Sequence, residues 1–308
     1  MRLDGVGDAA VCVPLVAALR SAGHEVGVAL STRNAGLFAP QAIVAEHVLE
    51  RIPWPAHGST PESTARAHAG IAAQRYDVAL IASQEPEAFA LAAPIPERVG
   101  FVTGWARPFK TLWVRRRVTR TVPRAQTLGG ERAHEVEILY RLGAGLVEEP
   151  QPSGDPLRLR TVLPVESVVP PRAGIVFQAG AKWLDTGVAV ATQRRIVRRL
   201  ARDGLRVVAA PADAGEVRSA LGVTPETFAT LPAWIDALDR AATVVTVDTG
   251  AAHVAGMLGV RTIDVFPDRD FAAQVRRWEP WASPGAVIAA CRAGGAGTAV
   301  IEAALDAS

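Results

Sequence analysis

The sequence predicts an α/β protein of two doubly wound domains, and three observations carry that prediction. Short β-branched runs alternate with Ala-rich helical runs from one end to the other, the pattern of parallel strands covered by helices on both faces. The 308 residues, 49% hydrophobic and 21% charged, can bury one large core or two ordinary ones, and the length favours two. Residues 148–172 carry Pro150, Pro152, Pro156, Pro164, Pro170 and Pro171, which is linker composition. The expected division is therefore a first domain over 1–150, a linker over 151–172 and a second domain over 173–308.

In the first half, strands are expected near 1–4, 25–30, 43–49, 77–82 and 98–102, with helices over 14–22 and 61–75. The first of these strands has only about three residues before Asp4, whereas ordinary strands run about five or six. A start codon assigned too far downstream, or a trimmed strand, would account for it. The second half reads as strand 174–178, helix 187–203, strand 206–210, helix 214–221 and strands 243–247 and 261–266.

Composition excludes several classes. No apolar run approaches the ~20 residues that span a bilayer, and no basic segment precedes an apolar one at the N-terminus, so a cytoplasmic protein is expected. Cys12 and Cys291 are far apart and lack metal-ligand spacing, which suits packing residues in a reducing compartment. A net charge of +2 gives no reason to expect nucleic-acid binding.

The most informative stretch is Val244-Val245-Thr246-Val247-Asp248-Thr249-Gly250-Ala251-Ala252-His253. A β-branched run buried on both faces passes through Asp-Thr-Gly into a small-residue helix, and the free N–H groups of a new helix attract an anion such as a diphosphate. Asp248 repels phosphate and is better suited to accepting hydrogen bonds from neutral hydroxyls. A sugar joined to a diphosphate meets both demands, although Asp248 or Thr249 could equally cap the helix.

Other segments add chemistry. Asp4-Gly5-Val6-Gly7-Asp8-Ala9-Ala10 formally matches the dinucleotide fingerprint, yet Asp8 would stand where a pyrophosphate should lie. Its carboxylate, in a Gly-rich bend at the carboxyl edge of a sheet, suits a general base or a simple N-cap. In Phe177-Gln178-Ala179-Gly180-Ala181-Lys182-Trp183 a buried strand opens into a small-residue loop that ends in a cation beside an aromatic ring, an arrangement for an anion. Only Lys110 and Lys182 are lysines among 33 basic residues, which sets Lys182 apart, although a solvated loop lysine is the plain alternative.

Asp268-Arg269-Asp270 reads as a turn with an Asp-Arg pair rather than a metal site, and Trp278-Glu279-Pro280-Trp281 as a packed aromatic corner. From Trp105 to Arg124 the chain holds Arg107, Lys110, Arg115, Arg116, Arg117, Arg120 and Arg124 without an acidic residue, interleaved with Trp105, Phe109, Leu112 and Trp113. This could bind a phosphorylated acceptor, rest on an anionic membrane surface, or be a solvated helix whose aromatics pack inward.

Taken in order, the Gly7-Asp8 bend, the Ala179–Trp183 loop, Asp248-Thr249-Gly250 with His253, and Trp278–Trp281 resemble the heptosyltransferase family, glycosyltransferase family nine. His134-Glu135-Val136-Glu137 and Gly259-Val260 resemble it too, so the likeness covers nearly the whole chain. The resemblance implies a GT-B fold, two Rossmann-like domains facing across a cleft, with no metal and no cofactor. It implies that Asp8 deprotonates an acceptor hydroxyl and that Lys182 neutralises the leaving nucleoside diphosphate. Gly180, Ala181, Asp248, Thr249, Gly250 and His253 would surround the donor, and Glu216 would touch its ribose.

The implied donor is ADP-heptose, and the implied product belongs to lipopolysaccharide core or a related glycoconjugate. Arg107, Lys110, Arg115, Arg116 and Arg117 are the candidates for an anionic glycan or glycolipid acceptor and for peripheral membrane contact. Pro267-Asp268-Arg269-Asp270 departs from the family, whose loop there has more Gly and Thr. A non-hydrolysing nucleotide-sugar epimerase, a hydride-transfer enzyme and a non-catalytic sugar-nucleotide binder stay open as alternatives.

Overall fold

The structure is a computed structural model and describes residues 1–52, 58–124, 127–128, 131–290 and 296–306. The chain divides into two compact units, Met1–Ser153 and Gly154–Ser308.

In the first unit the chain runs α1 (Val6–Ala10), α2 (Val13–Ser21), β1 (Gly27–Ser31), β2 (Ala45–Leu49), α3 (Pro61–Gln74), β3 (Val78–Ile81), α4 (Pro86–Ala92) and β4 (Glu97–Val102). It continues through α5 (Pro108–Arg115), β5 (Arg120–Pro123), the antiparallel pair β6 (Thr127–Leu128) and β7 (Glu131–Arg132), and α6 (Glu135–Tyr140). Several helices start where the sequence supplies a reason. Thr60 accepts from the Ser63 amide ahead of Pro61, and His134 and Glu137 form a reciprocal capping box on α6. Arg75 closes α3 in the left-handed region, φ 52°.

The expected strand over 1–4 is reduced to a stub. The Met1 ammonium donates to the Leu80 carbonyl (2.8 Å), the Arg2 amide to Ala29 (2.9 Å), and the Ala82 amide to Met1 (3.1 Å). Residues 1–2 thus lie between β1 and β3, which have parallel partners β2 and β4 on their other edges. Counting the stub as a strand, the order is β2, β1, stub, β3, β4, β5, the 3-2-1-4-5-6 arrangement of a Rossmann fold. Alongside the stub is a cavity of about 620 Å³ lined by Leu15, Leu19, Val28, Ile71, Ala79 and Leu142 among others.

The second unit contains α7 (Pro156–Arg160), β8 (Ile175–Gln178), α8 (Lys182–Asp185), α9 (Val190–Leu200), β9 (Leu205–Val208), α10 (Ala214–Leu221), α11 (Leu231–Asp239) and β10 (Thr243–Val247). α12 (Gly250–Met257), β11 (Arg261–Phe266), α13 (Phe271–Trp278), β12 (Ala286–Ala289) and α14 (Ala296–Leu305) complete it. All strand pairs are parallel, in the order β12-β11-β10-β8-β9. Relative to sequence this is 2-1-3-4-5, and the order reverses between β8 and β10. Every residue of β10 is buried, as its run of Val and Thr dictates.

The Pro-rich stretch expected as a linker contributes to this unit from residue 154 onward. Arg160, 1% exposed, donates to Asp239, and Arg172 adds bonds to Asp239, Leu258 and Gly259. Sequence reading missed α11, α13, β5 and β12. Their signals were present in part: Thr230 followed by Pro232 begins α11, and its side chain accepts from the Ala233 amide.

Candidate active site

Open parallel sheets bind ligands beyond the carboxyl ends of their strands, at the point where strand order reverses. In the second unit that point is flanked by the loop after β8, which ends in Gly180, Ala181 and Lys182, and the turn after β10, which is Asp248-Thr249-Gly250. The two motifs singled out in the sequence therefore belong to one edge. Lys182 opens α8 and is exposed; its carbonyl accepts from Thr186, while its ammonium makes no hydrogen bond or ion pair among the described residues.

Thr249 is the N-cap of α12 with its side chain bonded to Thr246 Oγ1 (2.9 Å) instead of a backbone amide. Neither its side chain nor that of Asp248 accepts from an amide of the first turn, so those amides have no side-chain cap among the described residues. Asp248 is partly exposed and lies 3.5 Å from His253 Nε2. The imidazole is 3% exposed, has no partner at Nδ1, and sits 5.8 Å from the Trp278 ring. His253 is thus enclosed beside Asp248, with Trp278 next to it. Pro280 and the Trp281 backbone pack so closely on α12 that a Cβ at Gly256 would approach the Trp281 nitrogen to 2.9 Å.

Trp183 is not pocket lining. It is 1% exposed, stacks on Phe177 at 4.7 Å, and donates to the Gln178 carbonyl, so the ring beside Lys182 is core. Glu216 lies in the first turn of α10, exposed, beyond the end of β9. Asp264, which sequence reading passed over, is fully buried on β11 opposite Thr246. Burial and the neighbouring Asp248 push its carboxyl well above the usual carboxylate range, while Lys182 pulls it back. A lone Asp inside Thr262-Ile263-Asp264-Val265-Phe266 was the signal, because an unpaired carboxylate in a buried strand is costly.

In the first unit Asp8 follows the stub at the other reversal point, between the stub and β3. It lies within α1, whose N-cap is Gly5, so the N-cap alternative fails. Its Oδ1 accepts from Arg2 Nη2 at 2.6 Å, and its side chain is 38% exposed. Cys12 is buried, its thiol pushed up by burial, in keeping with a packing role; Cys291 lies outside the described residues.

The basic segment divides. Trp113 packs against Phe89 (4.9 Å) with the Arg117 guanidinium over it, whereas Trp105 is 94% and Phe109 86% exposed. The inward-packed alternative thus holds for Trp113 alone. Arg107, Arg115, Arg116 and Arg117 are exposed, and Arg116 and Arg117 line a 430 Å³ groove with Arg98 and Trp113. Lys110 donates to Gln84, and desolvation, then Arg107 and Arg124, lower its ammonium from the usual lysine value. Arg269 and Asp270 face each other at 3.9 Å in an exposed turn, and no metal-binding group of acidic, His or Cys side chains exists among the described residues.

Solved structures share this architecture. E. coli heptosyltransferase WaaC with ADP superposes with a TM-score of 0.73 at 18% identity, over 100% of this chain and 98% of that one. The fold is GT-B. A family 9 glycosyl transferase from Veillonella parvula gives 0.67 at 16% identity, over 96% of this chain and 86% of that one. E. coli ADP-heptose lps heptosyltransferase II gives 0.62 at 16% identity, over 94% and 90%. No protein-family model and no curated protein matches the chain in sequence.

Proposed function

We propose that the chain is a metal-independent inverting glycosyltransferase that moves a heptose-like sugar from a nucleoside-diphosphate donor, ADP-heptose first among candidates, to an acceptor hydroxyl. The observation that carries this reading is the pairing of Lys182 with Asp248-Thr249-Gly250 at the strand-order reversal of the second unit. Sheet topology selects that edge for a ligand. The unobstructed first turn of α12 and a free ammonium suit diphosphate oxygens, and Asp248 suits sugar hydroxyls. E. coli WaaC, which shares the fold, binds ADP.

In the proposed reaction Asp8 accepts the proton of the acceptor hydroxyl, whose oxygen bonds to the anomeric carbon. The bond from that carbon to the diphosphate oxygen breaks, and the nucleoside diphosphate departs with the electron pair. Lys182 and the α12 amides stabilise the charge that develops there. Gly180 and Ala181 let the diphosphate approach the backbone, His253 holds Asp248, and Glu216 reaches the ribose. Arg107, Lys110, Arg115, Arg116 and Arg117 support an anionic glycan or glycolipid acceptor. Exposed Trp105 and Phe109 beside them suit peripheral contact with the cytoplasmic face of a membrane.

A thermal-shift panel of nucleoside diphosphates and their sugar conjugates tests the donor, because a ligand selective for the native state raises its melting temperature. ADP-heptose and ADP are expected to stabilise selectively, and sugar transfer is expected to need an anionic acceptor and to survive chelation of metal. Conversion of the donor without acceptor would make the protein an epimerase. Donor binding with no turnover across an acceptor panel would make it a binding protein.

A further inference from the structure

Asp264 has no use in the reaction above, yet it occupies a demanding position. It is 0% exposed, and neither carboxyl oxygen has a side-chain hydrogen-bond partner among the described residues; the Val265 amide is a minor influence that favours its charged form. An ionised carboxylate in such a place would go without compensation. The groups around it define its charge. The β8 and β10 loops bring Lys182 and Asp248, His253 on α12 lies 3.5 Å from that Asp248, and β10 places Thr246 in register. β12 has no ionisable residue, the Glu302 side chain on α14 is exposed, and Arg276 and Arg277 on α13 are engaged in contacts of their own.

We infer that Asp264 carries a proton in the folded protein and is a positioning residue for the donor pocket, its neutral carboxyl adding no second charge against Asp248. Two neighbouring carboxylates repel, and the buried one takes up a proton. The fully buried Asp264 is the one that yields, because burial penalises its charge most. The positioning role rests on the donor reading; the proton does not.

As pH rises and Asp264 ionises, the new charge repels Asp248, disturbs its contact with His253 and draws Lys182 inward. Affinity for the diphosphate then falls. The sign for stability is fixed as well. Between the ordinary carboxylate range and the raised value the folded state holds a proton that the unfolded state has released, so native stability declines with pH across that window.

Infrared difference spectra of wild type against Asp264→Asn at neutral pH test the proton, and ADP titrations from neutral to alkaline pH test the positioning. Wild type is expected to show a protonated-carboxyl stretch missing from the variant. Asp264→Asn is expected to match wild-type ADP affinity at neutral pH and to lose the alkaline decline. Asp264→Thr serves if the amide does not fold. Absence of the band, or an alkaline decline that persists in the variant, overturns the inference. A band with no ADP binding at any pH overturns the donor reading and the positioning role together, and upholds the proton.

Discussion

Arg2 Nη2 stands 2.6 Å from Asp8 Oδ1, while Nη1 of the same guanidinium donates to the Ala82 carbonyl at 2.6 Å and Nε lies 2.9 Å from Asp4. A 7%-exposed arginine therefore ties the candidate base to the stub and to the end of β3, the two elements that flank the reversal point of the first unit. Oδ2 of Asp8 is left to take a proton. General-base assistance contributes about a hundredfold to ten-thousandfold, so Asp8→Asn is expected to lower turnover by that order with ADP affinity retained. Isothermal titration beside a transfer assay separates the two, and wild-type turnover would remove Asp8 from the mechanism.

Lys182→Ala tests the other end of the reaction. A hydrogen bond to a charged group is worth about 1.5–3 kcal/mol, so ADP affinity should drop roughly tenfold to a hundredfold, since each ~1.4 kcal/mol is tenfold. Adenosine, which lacks the diphosphate, should bind the variant and wild type alike. Equal calorimetric affinities for ADP would exclude the lysine from the phosphate site.

Asp239 joins Arg160 and Arg172, and both members of its closer pair are almost fully buried. Removing one partner of such a pair strands the other, at a cost of about 3–5 kcal/mol. Asp239→Ala should lose stability of that order in urea denaturation. The double variant Asp239→Leu with Arg160→Met should recover much of it, because the fully buried Arg160 charge is removed with its partner and Arg172, 21% exposed, keeps its bonds to the Leu258 and Gly259 carbonyls.

The Met1 ammonium is buried beside the 620 Å³ cavity, and burial lowers its proton affinity from the ordinary α-amino value. Strand edges of β1 and β3 flank it. Four β-branched residues placed ahead of Met1 would replace that ammonium by an amide, pair with both edges and fill apolar space. Each buried CH₂ is worth about 0.8 kcal/mol, so the melting temperature is expected to rise by several degrees. Scanning calorimetry of the extended and unextended proteins reads the effect, and a fall would show that the slot rejects a strand.

Histidine 47 gives a pH test of the first unit. Its Nε2 lies 3.0 Å from the Tyr76 hydroxyl, and burial lowers its proton affinity. The unfolded chain binds this proton more readily than the native one, so its contribution to stability is present above the ordinary histidine pKa of about 6.5 and is lost as pH falls below it. His47→Gln should flatten the acid side of a melting-temperature profile, and an unchanged slope would assign that loss to other groups.

The sequence by itself determined the α/β class, the parallel character of β8, β10 and β11, and the loop after β8 and turn after β10, because buried strands must be apolar and helix starts must be small or capped. These are local consequences of side-chain size and polarity. Tertiary structure decided what depends on residues far apart in the chain. It set the order 2-1-3-4-5 that brings Lys182 and Asp248 to one edge, and it buried Trp183 while exposing Trp105 and Phe109. It also enclosed Asp264 with no side-chain hydrogen-bond partner among the described residues. Strand order, burial and charge pairing are properties of the packed chain, and no window of neighbouring residues contains them.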